Sequence, residues 1–238
     1  MDLSAETFVA RLHALQDDEE LRKIQRYFKS REGDYGAGDR FIGVRMGQVF
    51  ALAKEFVQMP PAEIERLMES DIHEARAGAL RLMADQYRLK TTTPERKAEL
   101  YDLYLRRHDR INNWDLVDLA AWWVVGSYLV DKPRDVLHRL ARSEVIWERR
   151  TAILATLPFI KRKQFADTLA ICETLMGDRE DLIHKACGTM LRVVGDEDMP
   201  ALVDFIEKHA GRMPRTMLRY AIEKMPVDQR KRMMEIGR

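Results

Sequence analysis

The sequence predicts an all-α fold, built as a solenoid of stacked antiparallel helix pairs. Three observations favour this class. Apolar residues recur at the three- and four-residue spacing of amphipathic helices along almost the whole chain. Turn-bounded runs of alternating apolar and polar residues, which are typical of half-buried strands, are absent from the sequence. The 238 residues also include only 12 glycines and 8 prolines, which suits a helix-rich chain.

Several of the predicted helices begin at sequence signals for a helix start. Ser4 can cap the first helix, and Thr93 can cap the sixth, where a proline follows it in the first turn. Pro61, Pro133 and Pro214 mark three further starts. The predicted ranges are 4–16, 18–30, 44–57, 61–70, 73–88, 94–109, 114–130, 133–141, 145–160, 163–176, 180–194, 197–210, 214–225 and 227–236.

One long glycine-bearing loop, REGDYGAGDRFIG, interrupts this pattern at residues 31–43. Glycine accepts backbone conformations that other residues avoid and lets the backbone approach a ligand closely. Loops of this kind often carry function. We therefore expect 31–43 to be a mobile segment or a place where backbone lies against a ligand.

Alternate helices start at a repeating interval, near 73, 114, 145, 180 and 214, which is about 31 to 41 residues apart. Helix pairs at such a period are typical of HEAT-type α-solenoids, in which one helix of each pair lines a concave face. The sequence therefore predicts a single HEAT-like-repeat domain over residues 1–238. The alternative is an irregular α-helical bundle.

Composition narrows the class of protein. The formal net charge is +1, so bulk charge makes no general case for nucleic acid, and no apolar run of 18 residues suggests a membrane span. The N-terminal MDLSAETFVARLHAL lacks the basic start and apolar stretch of a signal peptide. Cys172 and Cys187 share no metal-ligand spacing, and the six histidines are scattered. We expect a reduced, cytoplasmic protein with no metal, no cofactor and no membrane partner.

The stretch NNWDLVD, residues 112–118, opens a strongly apolar helix with two carboxylates and a tryptophan. Asn113 can cap this helix, and Asp115 suits its first turn, where free N–H groups favour negative charge. Asp118 lies a turn deeper and needs another reason. Trp114 and Asp118 are four residues apart and therefore share one side of the helix.

A basic residue followed by small residues recurs in these helices, as Arg76-Ala77, Arg150-Thr151-Ala152, Lys185-Ala186 and Arg219-Tyr220-Ala221. NNWDLVD occupies the missing row of this series. A file of cations suits a phosphate backbone, and an aromatic ring beside an acid suits a cationic group. Alternatives remain open: Trp114 can be a core residue, Asp118 can bond to a neighbouring repeat, and Arg150 can be the ion-pair partner of Asp118.

Five motifs, in this order, carry a resemblance to a known family: FIGVRMGQVFALAKEF, NNWDLVD, SEVIWERRTAIL, LIHKACGTMLRVVG and MPRTMLRYAIEKM. They resemble the DNA alkylation repair family of HEAT-like-repeat DNA glycosylases, the AlkD-like proteins, over roughly residues 41–225. The resemblance implies duplex DNA in the concave face, hydrolysis of the N-glycosidic bond of cationic N-alkylated purines such as 3-methyladenine and 7-methylguanine, and a monomer that needs no cofactor.

The resemblance also assigns roles to individual residues. The tryptophan and second aspartate of the family's W-D-x-V-D motif fall on Trp114 and Asp118. By analogy with the family, Arg45, Arg150 and Arg192 contact the DNA backbone, and we expect Lys185 to belong to the same phosphate track. A carboxylate at position 118 would stabilise positive charge on the deoxyribose as the bond breaks.

One position departs from the family pattern. Thr189 stands where the well-characterised branch has a second tryptophan, which completes an aromatic cleft. Trp122 or Trp147 could take its place in space, although core positions are favoured for both and for Trp123. The departure keeps a second class of function open, in which the same fold binds damaged or branched DNA, or a protein partner, without catalysis.

Overall fold

The computed structural model describes residues 2–28 and 38–236, and these residues are all-α. Within them there is no β-strand, only an isolated bridge between Arg40 and Ile72. No helix in this part of the chain is long and apolar enough to cross a membrane. The helices are α1 (Ala5–His13), α2 (Asp18–Tyr27), α3 (Met46–Glu55), α4 (Pro61–Met68), α5 (His73–Arg88), α6 (Pro94–Arg106), α7 (Trp114–Ala120), α8 (Asp135–Leu140), α9 (Ile146–Leu154), α10 (Leu157–Ile160), α11 (Ala166–Thr174), α12 (Asp181–Glu197), α13 (Met199–His209), α14 (Arg215–Ala221) and α15 (Val227–Glu235).

The predicted helices are confirmed in order, with bounds that differ in places. Ser4 accepts a hydrogen bond from the Thr7 amide at 3.2 Å, and Thr93 accepts one from the Arg96 amide at 3.3 Å, as their capping roles require. The range predicted as 145–160 is divided into α9 and α10. The range predicted as 114–130 begins as α7 and continues as a π-helix over Ala121–Gly126. Residues 29 and 30 of the range predicted as 18–30, and residues 31–37 of the predicted loop, lie outside the described residues.

The chain divides into two compact units, Met1–Val125 and Gly126–Arg238. Helices α1 to α7 belong to the first unit, and α8 to α15 belong to the second. The solenoid and the single domain therefore stay predictions.

The first unit is built around α5, which is buried on nearly all sides. Helices α1, α3, α4, α6 and α7 all pack on it. Many of the buried side chains of α5 are alanines. Because these side chains are small, the neighbouring helices can pack close to its axis. Gly78 shows the limit: a Cβ there would lie 2.6 Å from the Phe8 ring.

The second unit is built around α12, against which α9, α11, α13 and α14 pack. Gly188 allows α14 to approach, since a Cβ at that position would lie 2.5 Å from the carbonyl oxygen of Met217. Cys172 and Cys187 are both buried and unbridged in this core. Burial raises the pKa of the Cys172 thiol well above its usual value.

A buried carboxylate holds the segment that leads into α3. Glu74, in the first turn of α5, has no solvent exposure. Its oxygens accept hydrogen bonds from the backbone amides of Ile42, Gly43 and Val44, at 2.9 to 3.2 Å. Gly43 has a φ of 84°, and a Cβ there would lie 2.2 Å from the carbonyl oxygen of Asp17. The turn therefore requires both the glycine and the carboxylate.

Candidate functional site

The start of α7 confirms the predicted cap and changes the explanation of Asp115. The Asn113 side-chain oxygen accepts a hydrogen bond from the Trp114 amide at 2.9 Å. Asp115 does lie in the first turn, but its carboxylate also bonds the Nε2 atom of His73, on α5, at 2.8 Å. The acid at this position therefore attaches α7 to α5 in addition to favouring the helix start.

His73 lies in a buried cluster of charges. Its side chain has no solvent exposure, and its Nδ1 atom bonds the carboxylate of Asp39 at 2.7 Å. Asp39 also accepts hydrogen bonds from the Arg76 guanidinium and, at 3.2 Å, from the Asn113 amide. The cluster joins α5, the start of α7 and the segment that precedes α3.

The pKa values in this cluster follow from its geometry. Burial by itself favours the neutral imidazole, but the carboxylates of Asp115 and Asp39 outweigh it and raise the pKa of His73 to about 9. Burial likewise favours the protonated form of Asp39. The hydrogen bond and charge of His73, with the charge of Arg76, reverse this and lower the pKa of Asp39 to about 2. Both groups are therefore charged at neutral pH.

These shifts predict how the stability of the first unit depends on pH. Because the pKa of His73 is higher in the folded than in the unfolded protein, its proton stabilises the fold. This stabilisation is complete at pH values below the unfolded pKa of about 6.5 and is lost as the pH rises towards 9. The ionised carboxylate of Asp39, whose pKa is lowered in the folded protein, stabilises the fold at pH values above about 4. This stabilisation is lost as the pH falls towards 2. We expect the free energy of unfolding to drop by about 3 kcal/mol between pH 6.5 and 9, measured by urea unfolding. A flat profile over that range would contradict a protonated His73.

Trp114 belongs to an aromatic cluster. Its indole stacks on Phe28, with ring centroids 5.6 Å apart and an interplanar angle of 20°. The Tyr27 ring meets the indole edge-on at 6.0 Å, and its side chain is 64% exposed. Phe41 also stacks on Phe28, with ring centroids 5.0 Å apart. Trp114 itself is half-buried, so one part of the indole packs in the protein and another part faces solvent.

Asp118 lies on α7 one turn beyond Trp114 and is also half-buried. The helix then changes to its π-helical turn, where Trp122 and Trp123 are exposed by 37% and 36%. The core position favoured for these two tryptophans is therefore wrong. Trp123 packs under the Arg88 guanidinium, 4.5 Å from the ring centroid. Trp122 is four residues beyond Asp118 and continues the side of the helix that carries Trp114 and Asp118.

In the second unit, three of the predicted site residues share one side of α12. Lys185, Thr189 and Arg192 follow each other at spacings of four and three residues, so they lie along one stripe. Lys185 pairs with Asp181 at 2.8 Å and keeps 40% of its side chain exposed. Arg192 pairs with Glu223 and is 22% exposed.

A cleft of about 520 Å³ opens next to Lys185, between α12 and α14. Its lining consists of two cations, two acids, a hydroxyl and a phenol: Lys185, Arg219, Asp181, Glu223, Thr216 and Tyr220. Arg219 is exposed, as the predicted file of cations requires.

The remaining residues predicted to contact DNA or line the cleft differ in how exposed their side chains are. Arg45 has a side chain that is 66% exposed and pairs with Glu20 at 2.8 Å. Arg150 is 8% exposed, and its guanidinium donates to the carbonyl oxygen of Leu182 at 3.0 Å. Trp147 is 7% exposed. Arg76 was expected to be an exposed member of the file of cations, but its side chain is buried and paired with Asp39.

Sequence reasoning missed two groups that contact the start of α7. One is the exposed ring of Tyr27 at the end of α2, and the other is His73 with its two carboxylate partners. Neither has a local signal, because each acquires its position through residues far away in the chain. In the described residues, no group of three or more histidine, cysteine or acidic side chains is arranged to hold a metal ion.

The chain matches the sequence model of one known protein family. The model of the family described as DNA alkylation repair enzyme matches residues 8–225, which is most of the chain. A search of curated proteins finds no significant match.

Proposed function

Because the chain belongs to the DNA alkylation repair enzyme family, we propose that it is a DNA glycosylase for cationic N-alkylated purines. The substrates are bases such as 3-methyladenine and 7-methylguanine in duplex DNA. The observation that carries this proposal is the pairing of Trp114 and Asp118 on one partly exposed side of α7. A fixed carboxylate beside an aromatic face suits a reaction in which positive charge moves from a base to a sugar.

The chemistry needs few groups from the protein. An alkylated purine is already cationic, so it departs without being protonated, and the electron pair of the broken C1′–N bond neutralises it. Positive charge develops on the deoxyribose, where the Asp118 carboxylate stabilises it. A water molecule, oriented by the same carboxylate, adds to C1′ and loses one proton. The products are a neutral base and an abasic site.

The aromatic side chains near Asp118 give the lesion a surface to lie on. Trp114 is braced by Phe28 and has Tyr27 at its edge. Trp122 lies one turn beyond Asp118 with more than a third of its surface exposed. Exposed aromatic faces attract a cationic ring, and stacking is worth about 1–3 kcal/mol per base. Trp122 and Tyr27 are therefore exposed enough to contact a lesion held at Asp118, whereas Trp147 is buried.

Binding to the DNA backbone is expected to come from exposed cations. Lys185, Arg192 and Arg219 in the second unit and Arg45 in the first each keep part of the side chain accessible. Lys185, Arg192 and Arg45 each pair with a carboxylate in this structure. A phosphate would compete with that carboxylate for the same cation.

Lys185 and Arg150 are predicted to differ when each is replaced by alanine. Lys185→Ala should weaken binding to any duplex and reduce the slope of log K against log salt by about 1, since one phosphate contact is lost. Arg150→Ala should mainly lower stability, by about 1–3 kcal/mol, because the carbonyl of Leu182 loses this buried donor. Salt titrations of duplex binding and thermal melts of both variants measure these effects. An equal fall in the salt slope for Arg150→Ala would place it in the phosphate track.

The test of the proposed function is release of 7-methylguanine and 3-methyladenine from methylated duplex DNA under single-turnover conditions. The unmethylated duplex is the matched control, and the enzyme-free reaction corrects for spontaneous loss. Release of free base above that background, with an abasic site left in the strand, supports the glycosylase. Tight binding to the methylated duplex with no release would favour the alternative, a non-catalytic binding protein on the same fold. This alternative is kept because Thr189 stands where the family pattern has a second tryptophan.

A further inference from the structure

The buried cluster around His73 contacts the start of α7, and the proposed chemistry of base release gives it no role. We propose that His73 is the positioning residue for the side of α7 that carries Trp114 and Asp118. In this role its imidazole fixes that side of the helix relative to α5 and to the segment that precedes α3. The expected effect of His73 on the rate of base release rests on the proposed function, whereas its effect on the position of α7 does not.

The imidazole of His73 is held at both ends. Its Nδ1 atom is bonded to Asp39 at 2.7 Å and its Nε2 atom to Asp115 at 2.8 Å, and the ring has no solvent exposure. Such a ring cannot turn without breaking a charge-assisted hydrogen bond. Asp115 follows Trp114 directly and precedes Asp118 by three residues. The bond therefore acts within one turn of both groups.

The start of α7 is also held at several neighbouring positions. Asn112 accepts a hydrogen bond from Arg76 at 3.1 Å, and Asn113 donates to Asp39 at 3.2 Å. His73 adds the contact at Asp115. These bonds leave the first turn of α7 little freedom to rotate about its axis.

Ring contacts run without a break from His73 to Trp114. The imidazole lies 4.4 Å from the Phe41 ring and 5.3 Å from the Phe28 ring, measured between centroids. Phe28 in turn stacks on the Trp114 indole. A displacement of His73 would therefore reach the indole through Phe28 as well as through Asp115.

The charges show why histidine is needed at this place. The groups that face one another are the carboxylates of Asp39, before α3, and Asp115, on α7, with His73 and Arg76, on α5. Protonated imidazole donates to both carboxylates at once. A neutral ring has one donor and would turn a lone pair towards the other carboxylate. Only the charged form holds both neighbours.

Two substitutions separate the two bonds. In His73→Gln the amide nitrogen can take the place of Nε2 and keep a donor to Asp115, whereas in His73→Asn it takes the place of Nδ1 and keeps a donor to Asp39. His13→Asn, at an exposed histidine of α1, is the matched control. All proteins are compared well below their melting temperatures.

Two readouts are measured: backbone hydrogen exchange at Val117, Asp118 and Leu119, and single-turnover release of 7-methylguanine alongside duplex affinity. In His73→Asn we expect about tenfold faster exchange at these amides and a release rate about 10- to 100-fold lower, with affinity within about threefold of wild type. His73→Gln should recover most of both effects. A purely structural role would give no split between release rate and affinity and no recovery by glutamine.

Unchanged exchange in His73→Asn, or equal losses in the two variants, would overturn the proposal. Should His73→Asn not fold, Asp115→Asn tests the same contact from the other partner, with the same expected exchange and rate. Faster exchange with recovery by glutamine, in a wild-type protein that releases no base, would support the positioning role while overturning the glycosylase.

Discussion

Asp118→Asn is expected to lower the single-turnover rate of methylpurine release by at least about 10²- to 10³-fold. The amide has the shape of the carboxylate but lacks its charge. It therefore cannot stabilise the cationic sugar, and it orients water poorly. Duplex affinity should stay unchanged or rise, since a negative group that repels phosphate has been removed. Quenched-reaction release of 7-methylguanine and a parallel binding titration measure the two quantities.

A matched control for this experiment is Asp102→Asn, at an exposed aspartate of α6 in the same unit. It changes the net charge equally and should leave release unaffected. Release by Asp118→Asn at the wild-type rate would remove Asp118 from the chemistry. A loss of affinity equal to the loss of rate would instead make the residue a binding or folding group.

Glu74→Ala is expected to produce the largest loss of stability, about 3–5 kcal/mol in the free energy of unfolding. The substitution leaves the amides of Ile42, Gly43 and Val44 without their acceptor. Each buried donor without a partner costs about 1–3 kcal/mol, which is a substantial part of the stability of an ordinary domain. Urea unfolding followed by circular dichroism measures the change.

Two comparisons make the result at Glu74 specific. Glu6→Ala, at an exposed glutamate of α1, should change stability by less than about 0.5 kcal/mol. Glu74→Gln keeps one oxygen but turns an N–H group towards the backbone donors, so it should fall between wild type and alanine. Near-wild-type stability of Glu74→Ala would mean that water or a rearranged turn satisfies the three amides.

The sequence by itself was sufficient to predict the helices, their order and most of their starts. The signals are local: the three- and four-residue spacing of apolar side chains and the caps at Ser4, Thr93 and Asn113 depend on neighbours within one turn. The spacing of Trp114 and Asp118 on one side of α7 follows from the same helical geometry. So does the shared stripe of Lys185, Thr189 and Arg192 on α12.

Exposure of the individual cations was decided only by the tertiary structure. Arg45, Arg76 and Arg150 carry the same charged group in the sequence, yet one is mostly exposed and two are buried. The two buried guanidiniums are enclosed by parts of the chain that lie far from them in sequence. Arg76 meets the carboxylate of Asp39, and Arg150 meets a carbonyl in α12. Helical periodicity assigns a side of a helix, but it does not reveal which charged partner occupies the space opposite.

The role of Asp115 likewise came from the fold. A first-turn acid is a sufficient local explanation, and the sequence offered no reason to add a second. His73 lies 42 residues earlier in the chain, and Asp39 and Asn113 are 74 residues apart. Buried charges of this kind are stable only when opposite charges and donors converge on them from separate elements. That convergence is set by how α5, α7 and the segment before α3 pack together, which no local pattern records.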